Sequence, residues 1–338
     1  MLDALEVLIL KRRISGLIVL IVLVVLGFFA NIVLGLSPIK LPVIFDAMTA
    51  FDGSREHLIV HSVRIPRALI AAMVGCSLAL AGGIMQALTR NSLAGPEIFG
   101  VNYGAALAAV IASFLLGTSS LSLFAWSSFI GAGVAGAAVF LIGSLGHDRL
   151  SSFKLVLAGA TMNLLLASLT QGILILHQQS LDTMRFWLAG SLTGRDLDLF
   201  WQVAPYMLIG LVFTILMSKS INVLSLGEDV AQGLGQRVLL TKTLLIGIIM
   251  LLTGSAVAIA GPIGFIGLTV PHIARFLVGA DYRWLLPYSA LLGALLLLLS
   301  DVGARFVLPG REIPVGVVTA FLGAPFLIYL VQRKGGAA

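Results

Sequence analysis

Long apolar runs, each closed by charges, glycines or prolines, divide this chain. Ten can be drawn, at roughly 14–36, 66–86, 97–117, 122–145, 154–177, 199–218, 239–259, 262–278, 286–306 and 314–332. The first carries no charge over 23 residues. At about 1.5 Å per helical residue that is enough to cross a hydrocarbon core of about 30 Å. Backbone groups in lipid must be satisfied within their own segment, so such runs are helices. The alternating segments of about ten residues that mark a membrane β-barrel do not occur. The eighth run is short and opens on Gly261-Pro262, so its limits are soft. The pattern predicts an all-α polytopic membrane protein of about ten transmembrane helices, a single transmembrane domain over 1–338. No soluble domain, long linker or low-complexity tract interrupts it. Lys11, Arg12 and Arg13 before the first run resemble the start of a signal peptide. The run exceeds the usual length of about 7–15 residues and no clear small-residue cleavage site follows, so a retained first helix is expected.

One octamer pattern occurs twice. GCSLALAG at 75–82 and GSAVAIAG at 254–261 share glycine and alanine at identical places, offset by 179 residues. Gly and Ala abound in membrane helices, so the octamer alone could be chance. The same offset also brings Ile84 onto Ile263, Gly100 onto Gly279 and Tyr103 onto Tyr282. Repeat halves of approximately 66–178 and 239–332 follow. They begin in the second and seventh runs, an odd number of crossings apart, so the halves are inverted. Inverted repeats are a signature of membrane transport proteins.

Composition agrees. Apolar residues make up 59% and charged residues 11%, against about 25% charged in a soluble domain. The mean hydropathy is +1.08. With the N-terminus inside, 13 of the 21 Lys and Arg fall on inner segments and 8 on outer ones. The excess predicts a multi-pass protein of the cell membrane with both termini cytoplasmic. The net charge of +6 is scattered at helix ends and makes no nucleic-acid patch. Cys76 stands alone, which excludes an internal disulfide. His57, His61, His147, His177 and His272 are spread over both sides and form no metal set. No nucleophile–base pair is visible, so no enzyme activity is expected of this chain.

The polar positions that remain are few. Inner segment 220–237 reads SINVLSLGEDVAQGLGQR, punctuated by Gly227, Gly233 and Gly235. Glu228 to Gln232 can form a short polar helix with Glu228 and Asp229 at its favourable N-terminal end. Spacing alone leaves two readings open, a docking helix for a cytoplasmic partner or an ordinary interfacial loop. Arg64, Arg67 and Arg305 stand at outer helix ends, where anchoring to headgroups is the commonest job. Asp301 is the one carboxylate well inside a run, and an intramembrane acid is a functional-site hypothesis by default. It lies four residues before Arg305, on one helix face, and structural pairing is favoured over proton coupling. Glu97 and Glu312 read as helix-start charges. Asn91, Ser92 and Leu93 make an inner turn, and Ser151 and Ser152 begin the fifth run.

Several blocks together resemble the FecCD-type permease subunits of ABC importers for iron chelates, haem and vitamin B12. They are RIPRALIAAMVGCSLALAGGIMQALTRNSLAGPEIFGVNYGAAL from Arg64, LAGATMN from Leu157, FWLAGSLTG from Phe186, LGEDVAQGLG from Leu226, GPIGFIGLTVPHIARFLVGADYR from Gly261, and DVGARFVLPGREIPVGVVTAFLGAPFLIYL from Asp301. Ser92 departs, since the family usually has Pro after Asn91. The resemblance implies a paired ten-helix permease, homodimeric or heterodimeric, with two cytoplasmic ATPase subunits and an extracytoplasmic binding protein. It implies that Leu226, Gly227, Glu228, Asp229, Ala231, Leu234 and Gly235 couple to the ATPase. Arg64, Arg67 and Arg305 would receive acidic groups of the binding protein. Asn91, Leu93, Ser151 and Ser152 would line a cytoplasmic gate. The cargo implied is a ferric siderophore, or haem or cobalamin. No G-x-x-x-x-G-K-[ST] loop occurs in the chain, so ATP and Mg belong to a partner and no cofactor is expected here. The rival reading is an ion-coupled secondary transporter working without an ATPase, supported by Asp301 alone.

Overall fold

A computed structural model describes residues 2–37, 39–117, 120–145, 152–308 and 311–335. The helices in chain order are α1 (Leu2–Val33), α2 (Leu41–Thr49), α3 (Arg55–Ile59), α4 (Ile65–Thr89), α5 (Val101–Leu116), α6 (Leu121–Ser144), α7 (Ser152–Leu176), α8 (Gln178–Leu188), α9 (Leu197–Leu216), α10 (Ser218–Ser225), α11 (Glu228–Gly233), α12 (Val238–Ala260), α13 (Ile266–Val278), α14 (Tyr282–Phe306) and α15 (Val315–Gly335). Seven helical stretches are long and apolar enough to cross a membrane, and α5, α13 and α15 are shorter apolar helices. Together they match the ten runs read from the sequence.

One boundary differs. The second crossing does not begin at residue 66. It extends back to Arg55 through a π-helical turn at Val60–Arg64. Pro66 has no N–H to give to the preceding turn, and a wide turn absorbs the missing bond.

The helices differ in how far they are buried, and this sets the architecture. Nearly every residue of α4 from Pro66 to Leu88 is buried, as is most of α12. By contrast α1 exposes Ile18, Val22 and Leu26, and α6 exposes Ile130, Val134 and Leu141. An apolar exposed face of this kind suits lipid. Between apolar helices in lipid, close approach of small residues replaces the hydrophobic driving force. The first octamer provides it: a methyl added at Gly75 would run into the carbonyl of Gly293 on α14, and one at Gly82 into the carbonyl of Gly267 on α13.

Contacts at both ends show that α4 and α12 run in opposite directions. Arg90 follows α4, and its guanidinium is 3.4 Å from the place a side chain would take on Gly227. The next residue, Glu228, pairs with Lys242 in the second turn of α12. At the far end Ser191 donates to the carbonyl of Ala260, the last residue of α12, and both Thr193 and Arg67 of early α4 donate to Glu312. An inverted repeat calls for this sense. The two copies still differ, because Gly82 continues its helix while Gly261 ends α12 at φ 72°. Phe265 then sits at φ 69°, a left-handed conformation rare for a bulky residue, before α13 begins.

Candidate functional site

At one end of the bundle, three arginines and two acids from distant segments meet. Asp301 on α14 is fully buried. It accepts from Arg67 at 2.8 and 3.0 Å, from Arg305 one turn later at 2.5 Å, and from Asn31 of α1 at 3.0 Å. Arg305 also donates to the Asn31 and Leu34 carbonyls, both at 2.7 Å. Arg67 reaches Glu312 at 2.8 Å. Arg64 crosses the end of α1, donating to the carbonyls of Ile32, Val33 and Ser37 at 2.7, 3.0 and 2.5 Å. It lies where a side chain on Gly35 would stand. The expected Asp301–Arg305 pair is present, but inside a larger network. Arg64, Arg67 and Arg305 are all buried, which corrects the headgroup-anchor reading. Glu312 is not a helix-start charge either, since it takes hydrogen bonds from Arg67 and Thr193. The three arginines, Glu312 and Gly35 line one recess of about 210 Å³. The Nε of Arg305 has no hydrogen-bond partner among the described residues.

The opposite end carries segment 220–237, folded as α10 and α11. Gly227 joins them at φ 122° and ψ 153°, a conformation a side chain would strain. Two ties hold the segment to the membrane helices. The fully buried Lys242 on α12 donates to Glu228 at 2.6 Å. Asn222 donates to Asp281 at 2.7 Å and accepts from the Tyr282 N–H at 2.8 Å, where α14 starts. Hydrogen bonds from the Arg283 side chain, with help from Asn222, hold the Asp281 carboxyl down at about 2. The seven residues grouped here by sequence therefore divide. Gly227 and Ala231 are buried and Glu228 is committed to Lys242, whereas Leu226, Asp229, Leu234 and Gly235 project, with Val230 beside them. Leu226 is 64% exposed and Leu234 66%. Both jut from a polar surface beyond the apolar spans.

The turn after α4 is built by local chemistry. Asn91 accepts from the Leu93 N–H at 2.9 Å, and Arg90 takes the left-handed conformation that ends α4. Ser152 is the first residue of α7, and Ser151 lies outside the described residues.

A cavity of about 900 Å³ runs along α5 and α7 beside the break before α13. Glu97, Asn102, Asn163, Gln171 and Phe265 line it. Asn163 donates to the Glu97 carbonyl at 3.1 Å, and the Oδ1 atoms of Asn102 and Asn163 have no partner among the described residues. These polar residues were missed as site residues. The available signal was amides inside otherwise apolar runs. Among the described residues no group of His, Cys, Asp and Glu could hold a metal ion.

Comparison with known proteins agrees with this architecture. Residues 22–333 match the FecCD transport family. The Bacillus subtilis (strain 168) protein named "Probable siderophore transport system permease protein YfiZ" is 48% identical over 317 residues, covering 94% of this chain and 95% of its own. The ferric enterobactin transport system permease protein FepD of Escherichia coli (strain K12) is 44% identical over 322 residues, covering 94% and 96%. A solved inward-facing metal-chelate type ABC transporter superposes with a TM-score of 0.82 at 31% identity, covering 94% of this chain and 99% of that one.

Proposed function

The chain belongs to the FecCD transport family, and we propose that it is the membrane-spanning permease subunit of an ATP-driven importer that carries a ferric siderophore inward. Its proposed partners are two cytoplasmic ATPase subunits, a second permease subunit and an extracytoplasmic binding protein. The single observation that best supports this reading is segment 220–237. It presents exposed leucines away from lipid while it is bound to α12 through Lys242 and to α14 through Asn222. A push on Leu226, Asp229 or Leu234 would thus reach two helices of the bundle. Glu228, Gly227 and Ala231 act as its mount. On this reading the 220–237 end and both termini face the cytoplasm, which the excess of inner Lys and Arg supports.

At the outer end, the recess between Arg64, Arg67 and Arg305 suits a carboxylate side chain of the binding protein. Guanidinium groups pair with carboxylates in fixed fork geometry. The cavity beside Asn102 and Asn163 is the proposed cargo path. Its few polar groups bind weakly enough to let a chelate leave. Asn91, Leu93 and Ser152, with Ser151, are proposed to bound its cytoplasmic exit.

The secondary-transporter alternative loses its support, because Asp301 is engaged by two arginines and an asparagine. Reconstitution tests the proposal. Uptake of ⁵⁵Fe-siderophore into proteoliposomes should require the ATPase subunits, internal ATP and the binding protein. Accumulation by this chain alone under an ion gradient would refute it.

A further inference from the structure

Arg195 belongs to none of these constellations. It follows the turn at Gly194, between α8 and α9, and is only 5% exposed. No ion pair or hydrogen bond holds its side chain among the described residues, and its Nε is buried without a partner. The adjacent Asp196 is occupied in capping α9, accepting from the Leu199 N–H at 2.8 Å. Burial pulls the guanidinium down to about 10, which the Asp196 charge partly offsets. A buried cation with an unused donor is costly unless something supplies the missing acceptor.

The space beside it indicates what that is. Arg195 lines a recess of about 310 Å³ with Trp187, Ser191, Thr193 and Glu312. Glu312 is tied to Arg67 and Thr193, which both donate to its Oε2 at 2.8 Å. Trp187 lines this recess and the next residue of α8, Leu188, lines the large cavity. The volume of the recess suits one arm of a ligand, with an aromatic wall for the ligand's body and a guanidinium fork for a planar anion.

We propose that Arg195 is an anion-binding station at the outer mouth of the permease, which takes a carboxylate of the cargo chelate as it enters. It selects carboxylate-bearing ferric chelates over neutral ones. This rests on the importer reading given above.

The test uses the complete permease–ATPase complex in nanodiscs, with ferric citrate as probe and Trp187 fluorescence as readout. The Trp187→Phe variant identifies the signal. Quenching should be saturable, and Arg195→Gln should weaken the apparent affinity on the order of tenfold, the loss of one charge-assisted pair. Arg195→Lys should fall between the two, which separates charge loss from misfolding. A ferric trihydroxamate without free carboxylates should respond alike in all three proteins. Equal affinity for ferric citrate in wild type and Arg195→Gln overturns the proposal, as does equal quenching by acetate. Weaker docking of the unloaded binding protein to Arg195→Gln also overturns it, because the site then serves that protein's carboxylates. Failure of the wild-type complex to hydrolyse ATP faster with loaded binding protein would instead sink the importer reading and leave the fluorescence result standing.

Discussion

Replacing Asp301 by asparagine tests the outer network directly. Asp301 is fully buried and carries the charge facing both Arg67 and Arg305. Asn keeps the shape but removes that charge and turns donors toward one guanidinium. Breaking a buried pair by deleting one partner costs about 3–5 kcal/mol, because the other charge stays buried. Glu312 still neutralises Arg67, so the lower end, about 3 kcal/mol, is expected for Asp301→Asn. Removing every charge should cost less than removing one, since apolar replacement of a whole ion network is often neutral. The variant Arg67→Met, Asp301→Leu, Arg305→Met, Glu312→Gln, which removes all four paired charges, should therefore be more stable than the single one. Reversible unfolding in mixed micelles gives both numbers. In proteoliposomes Asp301→Asn should lower yield but leave ATP-driven uptake insensitive to an imposed pH gradient. A stability loss under about 1 kcal/mol would refute the argument that the charges depend on one another. So would gradient-driven uptake abolished by Asn.

Three further outcomes follow from the packing. Gly82→Val should prevent folding, because its side chain meets the Gly267 carbonyl, whereas Gly172→Ala has open space and should be neutral or slightly stabilising; yield and monodispersity distinguish them. Leu234→Asp should leave the permease folded but abolish stimulation of the ATPase, while Glu228→Arg should also lower stability by setting a like charge against the buried Lys242; ATPase assays beside thermal unfolding separate the two. Asp281, with its pKa lowered from 3.8 to about 2, contributes stability that is complete above its unfolded value and is lost as pH falls through that window. Proteolytic exposure of segment 220–237 should rise there, and Asp281→Asn should flatten the dependence.

Much of this molecule was legible in its residues one segment at a time. Whether a run crosses a membrane depends on its own length and on satisfying its own backbone, so ten runs could be counted without knowing their neighbours. The break at Gly261-Pro262 is equally local, and so is the Asp301–Arg305 pair, four residues apart on one helix. The polar 226–235 stretch stood out because nothing so polar belongs in lipid.

What the tertiary structure decided is which faces meet. Arg67 and Asp301 lie 234 residues apart, and no periodicity says that α4 begins where α1 and α14 end. Arg64 and Arg67 look like any basic helix end until α1 and Gly35 cover them. Glu312 and Asn31 acquire their roles from partners on other segments, as Glu228 does from Lys242. The state of Arg195 also depends on packing: its charge is plain in the sequence, but only the surrounding chain removes water from it and leaves its Nε without an acceptor. Hydropathy is a property of a segment, whereas pairing and burial are properties of an arrangement. A helix pattern records how much of a side must be apolar, not which neighbour that side will find.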